Sequence, residues 1–266
     1  MSRVRIERVD AVARVVLCRA GMHNALVPEL LADLLAALAE LKDDASCRAV
    51  VLAAEGPAFS IGGDMRRFKR ERGDLRAYGA GLVGQLNAAI LTLIDLPQPV
   101  VAAVHGIVTG GSIGLVLAAD LVLLAPRAVF KAHYVTAGFG PDGGWTALVG
   151  RLAGRRRAAS AVMLNRTLRA EEAVAWGLAS EIVAANDLQE TATAAARKMA
   201  AYPVDTMRAA KCLLWSDRAQ LAADLEAERR HFVELIAKPD AINGVDRFLR
   251  DFTDYPDSPD EEEARC

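Results

Sequence analysis

Hydrophobic and polar residues along the first fifty positions follow the pattern of strands that alternate with a helix. Apolar and charged residues alternate over 3–7, as in a half-buried strand, and 12–18 form a second strand candidate. Leucines recur with helical spacing over 30–41, after a proline suited to the first turn of a helix, and 48–53 is the next strand candidate. The order strand, strand, helix, strand predicts a ββα unit.

The stretch 99–120, PVVAAVHGIVTGGSIGLVLAAD, combines a buried strand candidate with a glycine-rich turn and a helix. The first N–H groups of a helix lack internal partners, so such a turn can form an anion site from backbone alone. The turn lacks the lysine of the nucleotide loop and the glycine spacing of the dinucleotide motif. Phosphate binding, an oxyanion hole and a purely structural turn all stay open from spacing alone.

Later segments predict further strands and helices and then an all-helical end. The polar segment 66–80 is predicted as a mobile loop or short helix over the site. We expect a core over 1–187, a helical region over 188–253 and an acidic, disordered tail over 254–266. The remaining predicted strands are 121–124, 129–132 and 181–183. The predicted helices of the core are 81–96 and three that begin near 143, 155 and 170. The predicted helices of the C-terminal region are 188–201, 203–216, 218–237 and 239–251.

Composition narrows the functional classes. The net charge of −2 gives no basic field for nucleic acid or a membrane surface, and the four cysteines have no metal-ligand spacing, so no metal site is expected. The N-terminus lacks the apolar core of a signal peptide, and the longest apolar run, 115–125, is interrupted by Asp120 and too short to span a bilayer. These features predict a cytoplasmic protein.

Four motifs carry a resemblance to a known family. The segment 58–64, AFSIGGD, resembles the first oxyanion-hole turn of the crotonase, or enoyl-CoA hydratase/isomerase, superfamily, and Gly110-Gly111 resembles the second. Asn24-Ala25-Leu26 is similar to the N-A-L segment of the family, and 138–144, GFGPDGG, to its glycine-rich acid loop. With all four in the family's order, the chain is identified as a member.

The resemblance implies an α/β fold, a spiral of ββα units followed by a C-terminal helical trimerisation region whose helices cover neighbouring active sites. It implies a homotrimer or a dimer of trimers acting on a small acyl-CoA thioester, with coenzyme A entering as part of the substrate and no cofactor bound permanently. By the same resemblance, the backbone N–H groups of Gly63 and Gly111 hold the thioester carbonyl and stabilise an enolate.

Proton transfer requires an acid or base near that carbonyl. The family's hydratases use two glutamates, and the aligned positions here are Gly114 and Tyr134, which argues against ordinary hydration. Asp142 matches the aspartate that moves protons in 1,2-epoxyphenylacetyl-CoA isomerase-like members and attacks the ring in 4-chlorobenzoyl-CoA dehalogenase-like members. Apolar neighbours, Phe139 and Trp145, are expected to raise its pKa. The alternative is that Asp142 only caps a helix beginning at Gly143.

Other site residues are assigned less directly. Tyr134 either donates a hydrogen bond in the pocket or fills space there, and because His133 and Tyr134 are expected to alternate on one strand, only one of them should face the pocket. Asp64 is expected to cap the helix after the first turn. The resemblance implies a coenzyme A path along His23, Ala25, Ser60, Ile61 and Asp64, with Arg250 or Arg247 near the 3′-phosphate.

These observations favour an enoyl-CoA isomerase that shifts a double bond or isomerises a ring epoxide. One alternative is a hydratase, or a related lyase or hydrolase, that uses Asp142 with Tyr134 or His133. Another, of a different class, is a coenzyme A-binding protein without catalytic activity. The dehalogenase is less favoured, because the histidine and the tryptophan of that branch cannot both be placed in this sequence.

Overall fold

The computed structural model describes residues 2–251, in which strands and helices alternate up to residue 182 and helices alone follow. The strands are β1 (Val4–Val9), β2 (Val12–Leu17), β3 (Ala49–Ala54), β4 (Val100–Val104), β5 (Ile107–Thr109), β6 (Leu121–Leu124), β7 (Val129–Lys131), β8 (Thr167–Arg169) and β9 (Glu181–Ile182). The helices are α1 (Pro28–Lys42), α2 (Met65–Arg70), α3 (Leu75–Asp95), α4 (Ile113–Leu117), α5 (Tyr134–Ala137), α6 (Ala147–Ala153), α7 (Arg155–Met163), α8 (Ala170–Ala175), α9 (Leu188–Ala200), α10 (Val204–Leu214), α11 (Arg218–Ile236) and α12 (Pro239–Asp251).

Two sheets form the α/β core. The larger has the strand order β1-β2-β3-β4-β6-β9, parallel throughout except for the β1–β2 hairpin, and the smaller has the order β5-β7-β8. Every residue of β3 and β4 is buried, which explains why these strands are continuous apolar runs. Val50 and Leu52 face the main core, whereas Val51 points to the other face of the sheet, against the alanines of α9.

Several predicted elements are confirmed within a residue or two. The strand β6 and the helix α12 have the predicted bounds, and β4 lies within 99–120, where a buried strand was predicted. The segment 66–80 contains the short helix α2, and the long helix α3 begins at Leu75, six residues before the predicted start at 81. The predicted tail 254–266 lies outside the described residues.

Two local predictions are wrong. His133 has a positive φ of 64°, which ends the strand, and Tyr134 begins the short helix α5, so the two residues do not alternate on a strand and both line the same pocket. The helix after the acid loop begins at Ala147, not at Gly143, so Asp142 is not its N-cap. The alternative reading of Asp142 as a simple cap therefore fails.

The C-terminal helices pack over the chain's own core. The helix α11 lies along α3, and α12 contacts α2 and α5. Phe232 of α11 and Phe248 of α12 line a pocket whose other walls come from the first half of the chain. In the single chain these helices line the pocket of their own chain, and the expectation that they also cover a neighbouring active site stays a prediction.

In the described part of the chain, one helical stretch, Arg72–Asp95, has the length and apolar composition of a membrane span. Half of its most apolar window is buried inside the fold, where α3 packs between α1 and α11. This is the environment of a core helix, so the stretch is weak evidence for a membrane span.

Candidate active site

The first predicted oxyanion turn forms a short parallel bridge with the N-A-L segment. The N–H of Leu26 donates to the Gly62 carbonyl at 2.7 Å, and the N–H of Asp64 donates to the Leu26 carbonyl at 3.1 Å. In such a bridge the N–H of the middle residue, Gly63, points away from its partner strand. Gly63 lines the pocket on that side, as the oxyanion assignment requires.

Asp64 caps the helix that follows this turn, as predicted. Its buried carboxylate accepts hydrogen bonds from the N–H groups of Arg66 and Arg67 at 3.1 Å and pairs with the Arg19 guanidinium at 2.8 Å. The cap fixes the start of α2 immediately after Gly63.

The second turn packs directly against the first. Ser60 and Val108 form a parallel bridge, with the Thr109 N–H donating to the Ser60 carbonyl at 3.1 Å. A Cβ on Gly62, which has a φ of +76°, would lie 2.6 Å from the Thr109 carbonyl oxygen, so only glycine allows this approach. The backbones at Gly63 and Gly111 are thereby brought to one pocket wall.

A buried tryptophan sets the orientation of the second turn. The indole N–H of Trp145 donates to the Gly110 carbonyl oxygen at 2.8 Å, and the Ile113 N–H donates to the same oxygen. The Gly110 carbonyl and the Gly111 N–H belong to one planar peptide and point in opposite directions. Trp145 therefore helps to direct the Gly111 N–H, a role that the sequence analysis missed because it considered only the apolar bulk of this residue.

Asp142 lies on the same wall, next to the Gly111 backbone. A Cβ on Gly111 would lie 3.1 Å from Asp142 Oδ1, and the Asp142 side chain is only 6% exposed. The Tyr134 hydroxyl donates to Asp142 Oδ1 and lies 3.0 Å from the Asp142 carbonyl oxygen. Tyr134 therefore makes a hydrogen bond in the pocket, the first of the two roles considered for it.

Burial raises the pKa of Asp142 to about 7, against the opposing effect of the Tyr134 hydrogen bond and with a further increase from the nearby charge of Glu228. Burial and the Asp142 charge raise the pKa of Tyr134 well above its ordinary value. Tyr134 therefore stays a protonated hydrogen-bond donor at neutral pH, and Asp142 can exchange a proton there. The predicted increase in the Asp142 pKa is thus supported.

The acid loop fills the space that a residue larger than glycine would need at position 114. A Cβ on Gly114 would lie 2.4 Å from the Gly143 carbonyl oxygen and 2.3 Å from Cδ1 of Ile90. Gly143 itself has a φ of +60°, and a Cβ there would lie 2.3 Å from the Gly111 Cα. A carboxylate cannot extend into the pocket from position 114 while the acid loop has this conformation.

The pocket is lined mainly by apolar side chains. Phe68 of α2 packs against Phe139 and Phe232, with ring centroids 5.4 and 6.2 Å apart. Among the described residues that line the pocket, Asp142 is the sole carboxylate, and the other titratable side chains are His133 and Tyr134. Burial, with a smaller effect of Lys131, lowers the pKa of His133 to about 4, so its imidazole is neutral at neutral pH.

The residues assigned to the coenzyme A path occupy different positions. Ile61 lines the pocket, and the Ile61 N–H donates to the carbonyl of His23. Ala25, Ser60 and Asp64 are fully buried and shape the turn, with the Ser60 hydroxyl donating to the Asn24 carbonyl. Arg250 lies on α12 with its side chain 72% exposed, beside Asp251. Their contacts with coenzyme A stay a prediction.

Sequence reasoning missed the contribution of the C-terminal helices. Phe232 and Phe248 line the pocket, and Glu228 accepts hydrogen bonds from the acid loop. These residues lie more than 80 positions after the acid loop. Helical periodicity could predict their helices but not which core surface those helices would cover.

Comparison with known proteins agrees with this geometry. The family described as enoyl-CoA hydratase/isomerase matches residues 7–254. The chain is 32% identical to 4-chlorobenzoyl coenzyme A dehalogenase-2 of Arthrobacter sp. over 75% of this chain and 73% of that protein. It is 31% identical to 1,2-epoxyphenylacetyl-CoA isomerase of Escherichia coli, over 85% and 87%.

A solved structure, an enoyl-CoA hydratase/isomerase from Xanthobacter autotrophicus Py2, superposes with a TM-score of 0.86 over 94% of both chains at 25% identity. The chain therefore belongs to the enoyl-CoA hydratase/isomerase family and has the crotonase fold. It is an enzyme of the class that processes acyl-CoA thioesters. The relatives named above carry out different reactions, so the particular reaction has to be argued from the site.

Proposed function

We propose that the protein is an enoyl-CoA isomerase in which Asp142 alone moves the proton. The observation that carries this proposal is the position of Asp142, the sole carboxylate among the described pocket residues, beside the backbone of the second oxyanion turn. One carboxylate is enough for an isomerisation, because the proton that leaves one carbon can return to another.

The proposed reaction begins with the thioester carbonyl held by the N–H groups of Gly63 and Gly111. Negative charge on that oxygen is stabilised there, which acidifies the proton on the carbon next to the carbonyl. In a 3-enoyl thioester, Asp142 removes that proton, and the C–H electrons pass into the dienolate. Asp142 then returns the proton to the γ carbon, which leaves the double bond conjugated with the carbonyl.

The pKa of about 7 suits both halves of this cycle. At neutral pH the carboxylate is available as a base and the carboxylic acid is available as an acid. The Tyr134 hydroxyl stabilises the ionised form of Asp142 through its hydrogen bond. Among the described residues that line the pocket, no second carboxylate accepts a bond from this hydroxyl.

Hydration is supported less well by the same residues. A carboxylate at position 114 is excluded by the Gly143 carbonyl and Ile90, and Tyr134 stands at the second glutamate position as a protonated phenol. Hydration would need Asp142 together with the neutral imidazole of His133 to activate water. The hydratase therefore remains an alternative to be tested by product analysis.

The dehalogenase relative makes nucleophilic attack by Asp142 a second candidate. Nucleophilic attack uses only the ionised carboxylate, whereas proton transfer uses both the ionised and the protonated form, and a pKa of about 7 makes both available near neutral pH. Proton transfer is therefore the better use of this group.

The decisive experiment incubates the protein with crotonyl-CoA, a 3-enoyl-CoA, an aromatic ring-epoxide CoA thioester and 4-chlorobenzoyl-CoA, and follows mass, absorbance and chloride release. We expect isomerisation without change of mass, abolished by Asp142→Asn and retained by Asp205→Asn, which alters a fully exposed carboxylate. A gain of water would favour the hydratase, and chloride release would favour the dehalogenase. Binding without any turnover would favour the coenzyme A-binding protein without catalytic activity.

We also propose that the protein assembles as a homotrimer or a dimer of trimers. Large apolar side chains are exposed near the end of α10, where Leu213 and Leu214 are 73% and 76% exposed, and Met163 and Leu164 are exposed to a similar extent. Such side chains support burial against further copies of the chain. Light scattering on the purified protein tests the assembly, and a monomeric mass would contradict it.

A further inference from the structure

A buried glutamate on α11, outside the pocket, binds the backbone of the acid loop. Glu228 is 5% exposed and is absent from the residues that line the active-site pocket. A buried carboxylate costs free energy unless hydrogen bonds or charges compensate it. Its partners therefore indicate why the fold retains it.

Four hydrogen bonds from the segment 144–147, which joins the acid loop to α6, end on this carboxylate. Oε2 accepts from the Gly144 N–H at 2.8 Å. Oε1 accepts from the N–H groups of Thr146 and Ala147 at 2.8 Å each, and from the Thr146 hydroxyl at 2.5 Å. These donors lie at the start of α6, so Glu228 caps a helix that belongs to a distant part of the chain.

The segment that Glu228 holds carries two parts of the proposed site. Asp142 lies two residues before Gly144, and Trp145 lies between the anchored positions 144 and 146. Trp145 in turn bonds the Gly110 carbonyl and so directs the Gly111 N–H. A displacement of this segment would therefore move the acid and one oxyanion donor together.

The charge of Glu228 also acts on Asp142. All four donors at Glu228 are neutral N–H or O–H groups, and the described residues supply it with no ion pair. The nearest basic residue of α6, Arg151, is paired with Asp217 and Asp224. Burial raises the pKa of Glu228, and the hydrogen bonds from these donors oppose that increase by stabilising the ionised form.

The charged and titratable groups around the pair are few. Tyr134 of α5 faces Asp142 from inside the pocket, and His133 lines the same pocket. On the outer side of the acid loop, Asp224 and His231 of α11 line the cavity next to Glu228. Among these groups, Glu228 is the one whose carboxylate accepts hydrogen bonds from the segment 144–147, and its nearness raises the pKa of Asp142.

We infer that Glu228 is a positioning residue for the proposed isomerisation: its carboxylate fixes the segment 144–147, which adjoins Asp142 and carries Trp145. The inference rests on the proposed function for its effect on turnover. Its effects on loop rigidity and on the ionisation of Asp142 can be measured without any substrate.

The test compares wild type with Glu228→Gln, which keeps the shape and removes the charge. Infrared difference spectra of the unliganded protein, titrated across neutral pH, follow the carboxyl band that Asp142→Asn abolishes. We expect the midpoint of this band to move to lower pH in Glu228→Gln. Amide hydrogen exchange at Gly144 and Ala147 should become faster, and kcat for the 3-enoyl-CoA should fall by up to about 100-fold.

A second variant, Glu228→Asp, keeps the charge and shortens the side chain. We expect faster exchange at Gly144 and Ala147 and a reduced kcat, with the Asp142 midpoint close to that of wild type. Asp224→Asn, on the same helix one turn earlier and exposed, should leave the midpoint, the exchange and kcat unchanged.

The outcomes separate this inference from the proposed function. An unchanged midpoint in Glu228→Gln, or unchanged exchange in both Glu228 variants, would overturn the role of Glu228. If Glu228→Gln does not fold, the role of Glu228 would also be overturned by a Glu228→Asp variant in which amide exchange at Gly144 and Ala147 is as slow as in wild type and kcat is unchanged. A shifted midpoint without isomerase activity in wild type would support the role of Glu228 and contradict the proposed reaction.

Discussion

At the scale of single residues, the site depends on a carboxyl and a phenol that share one hydrogen bond in an apolar pocket. Burial raises the pKa of Asp142 to about 7, and the Tyr134 donor limits that increase by stabilising the ionised form. The sequence indicated Asp142 because the acid loop and the missing glutamates left no other carboxylate. It left the role of Tyr134 open, because the contact depends on the unpredicted turn at His133.

Replacement of Tyr134 tests this balance. Tyr134→Phe removes the donor to ionised Asp142, and such a charge-assisted bond is worth about 1.5–3 kcal/mol. We expect kcat/KM to rise with pH in wild type with a midpoint near 7, and this midpoint to move up by about 1–2 pH units in the variant. A pH–rate profile measures both.

Tyr78→Phe is the matched control. The buried Tyr78 hydroxyl has no hydrogen-bond partner within residues 2–251, and its ring packs edge-on against Phe68. The Tyr78→Phe profile should coincide with that of wild type. A Tyr134→Phe profile that also coincides with wild type would mean that the phenol only fills space.

The raised pKa of Asp142 also predicts a pH dependence of stability. The folded protein holds the Asp142 proton more tightly than the unfolded chain, where the pKa is about 3.8. The contribution of this group to the free energy of unfolding is therefore full below about pH 4, falls as pH rises towards 7 and is lost above it. Asp142→Asn, which cannot ionise, should be more stable than wild type at alkaline pH by on the order of 1 kcal/mol or more.

Urea unfolding at acidic and alkaline pH measures this difference. The gain in Asp142→Asn should shrink as pH falls towards 4, whereas Asp205→Asn, at a fully exposed site, should track wild type throughout. An Asp142→Asn protein that is less stable at alkaline pH would show that the carboxylate is compensated in the folded state.

At the scale of elements, the strands and glycine turns were predictable because their signals are local. Apolar runs such as β4 predicted buried strands, and the motif glycines predicted turns at the right places. The start of α6 and the geometry at His133 were not predictable, because contacts from elsewhere set them. Glu228 caps α6, and the Asn165 side chain accepts from the His133 N–H at 2.9 Å.

Trp145 links the acid loop to the second oxyanion turn and gives a prediction at this scale. Trp145→Phe keeps an aromatic ring in the core and removes the donor to the Gly110 carbonyl, which then retains only the Ile113 N–H. If the poorer orientation of the Gly111 N–H costs about 1.4 kcal/mol of transition-state stabilisation, kcat falls about tenfold. Steady-state kinetics should show this with little change in KM.

Trp176→Phe provides the control for ring size, since Trp176 stacks with Arg157 and Arg166 away from the pocket. Its kcat should equal that of wild type. Equal kcat in Trp145→Phe and wild type would mean that the Ile113 N–H alone is enough to orient the turn.

At the scale of the whole molecule, the C-terminal helices complete a site that the core only begins. Phe232, Phe248 and Glu228 reach the pocket or its acid loop from the last quarter of the chain. The bounds of these helices were predicted to within one or two residues, but a helical pattern does not show which surface of the core a helix will contact. The packing of these helices on the pocket could therefore be learned only from the folded structure.

The contact between α12 and α5 is close enough to test this arrangement with one methyl group. A Cβ on Gly244 would lie 2.0 Å from the Ala137 carbonyl oxygen, so Gly244→Ala must push α12 away from α5 and move Phe248 at the pocket wall. We expect a loss of about 1–3 kcal/mol in the free energy of unfolding and a raised KM for acyl-CoA. Gly81→Ala, also within a helix but with nothing within 4 Å of the new Cβ, should instead stabilise the protein by about 0.5–1 kcal/mol and leave KM unchanged. If both variants behave alike in urea unfolding and in KM, α12 does not pack against α5 in solution as closely as Gly244 and Ala137 lie in this structure.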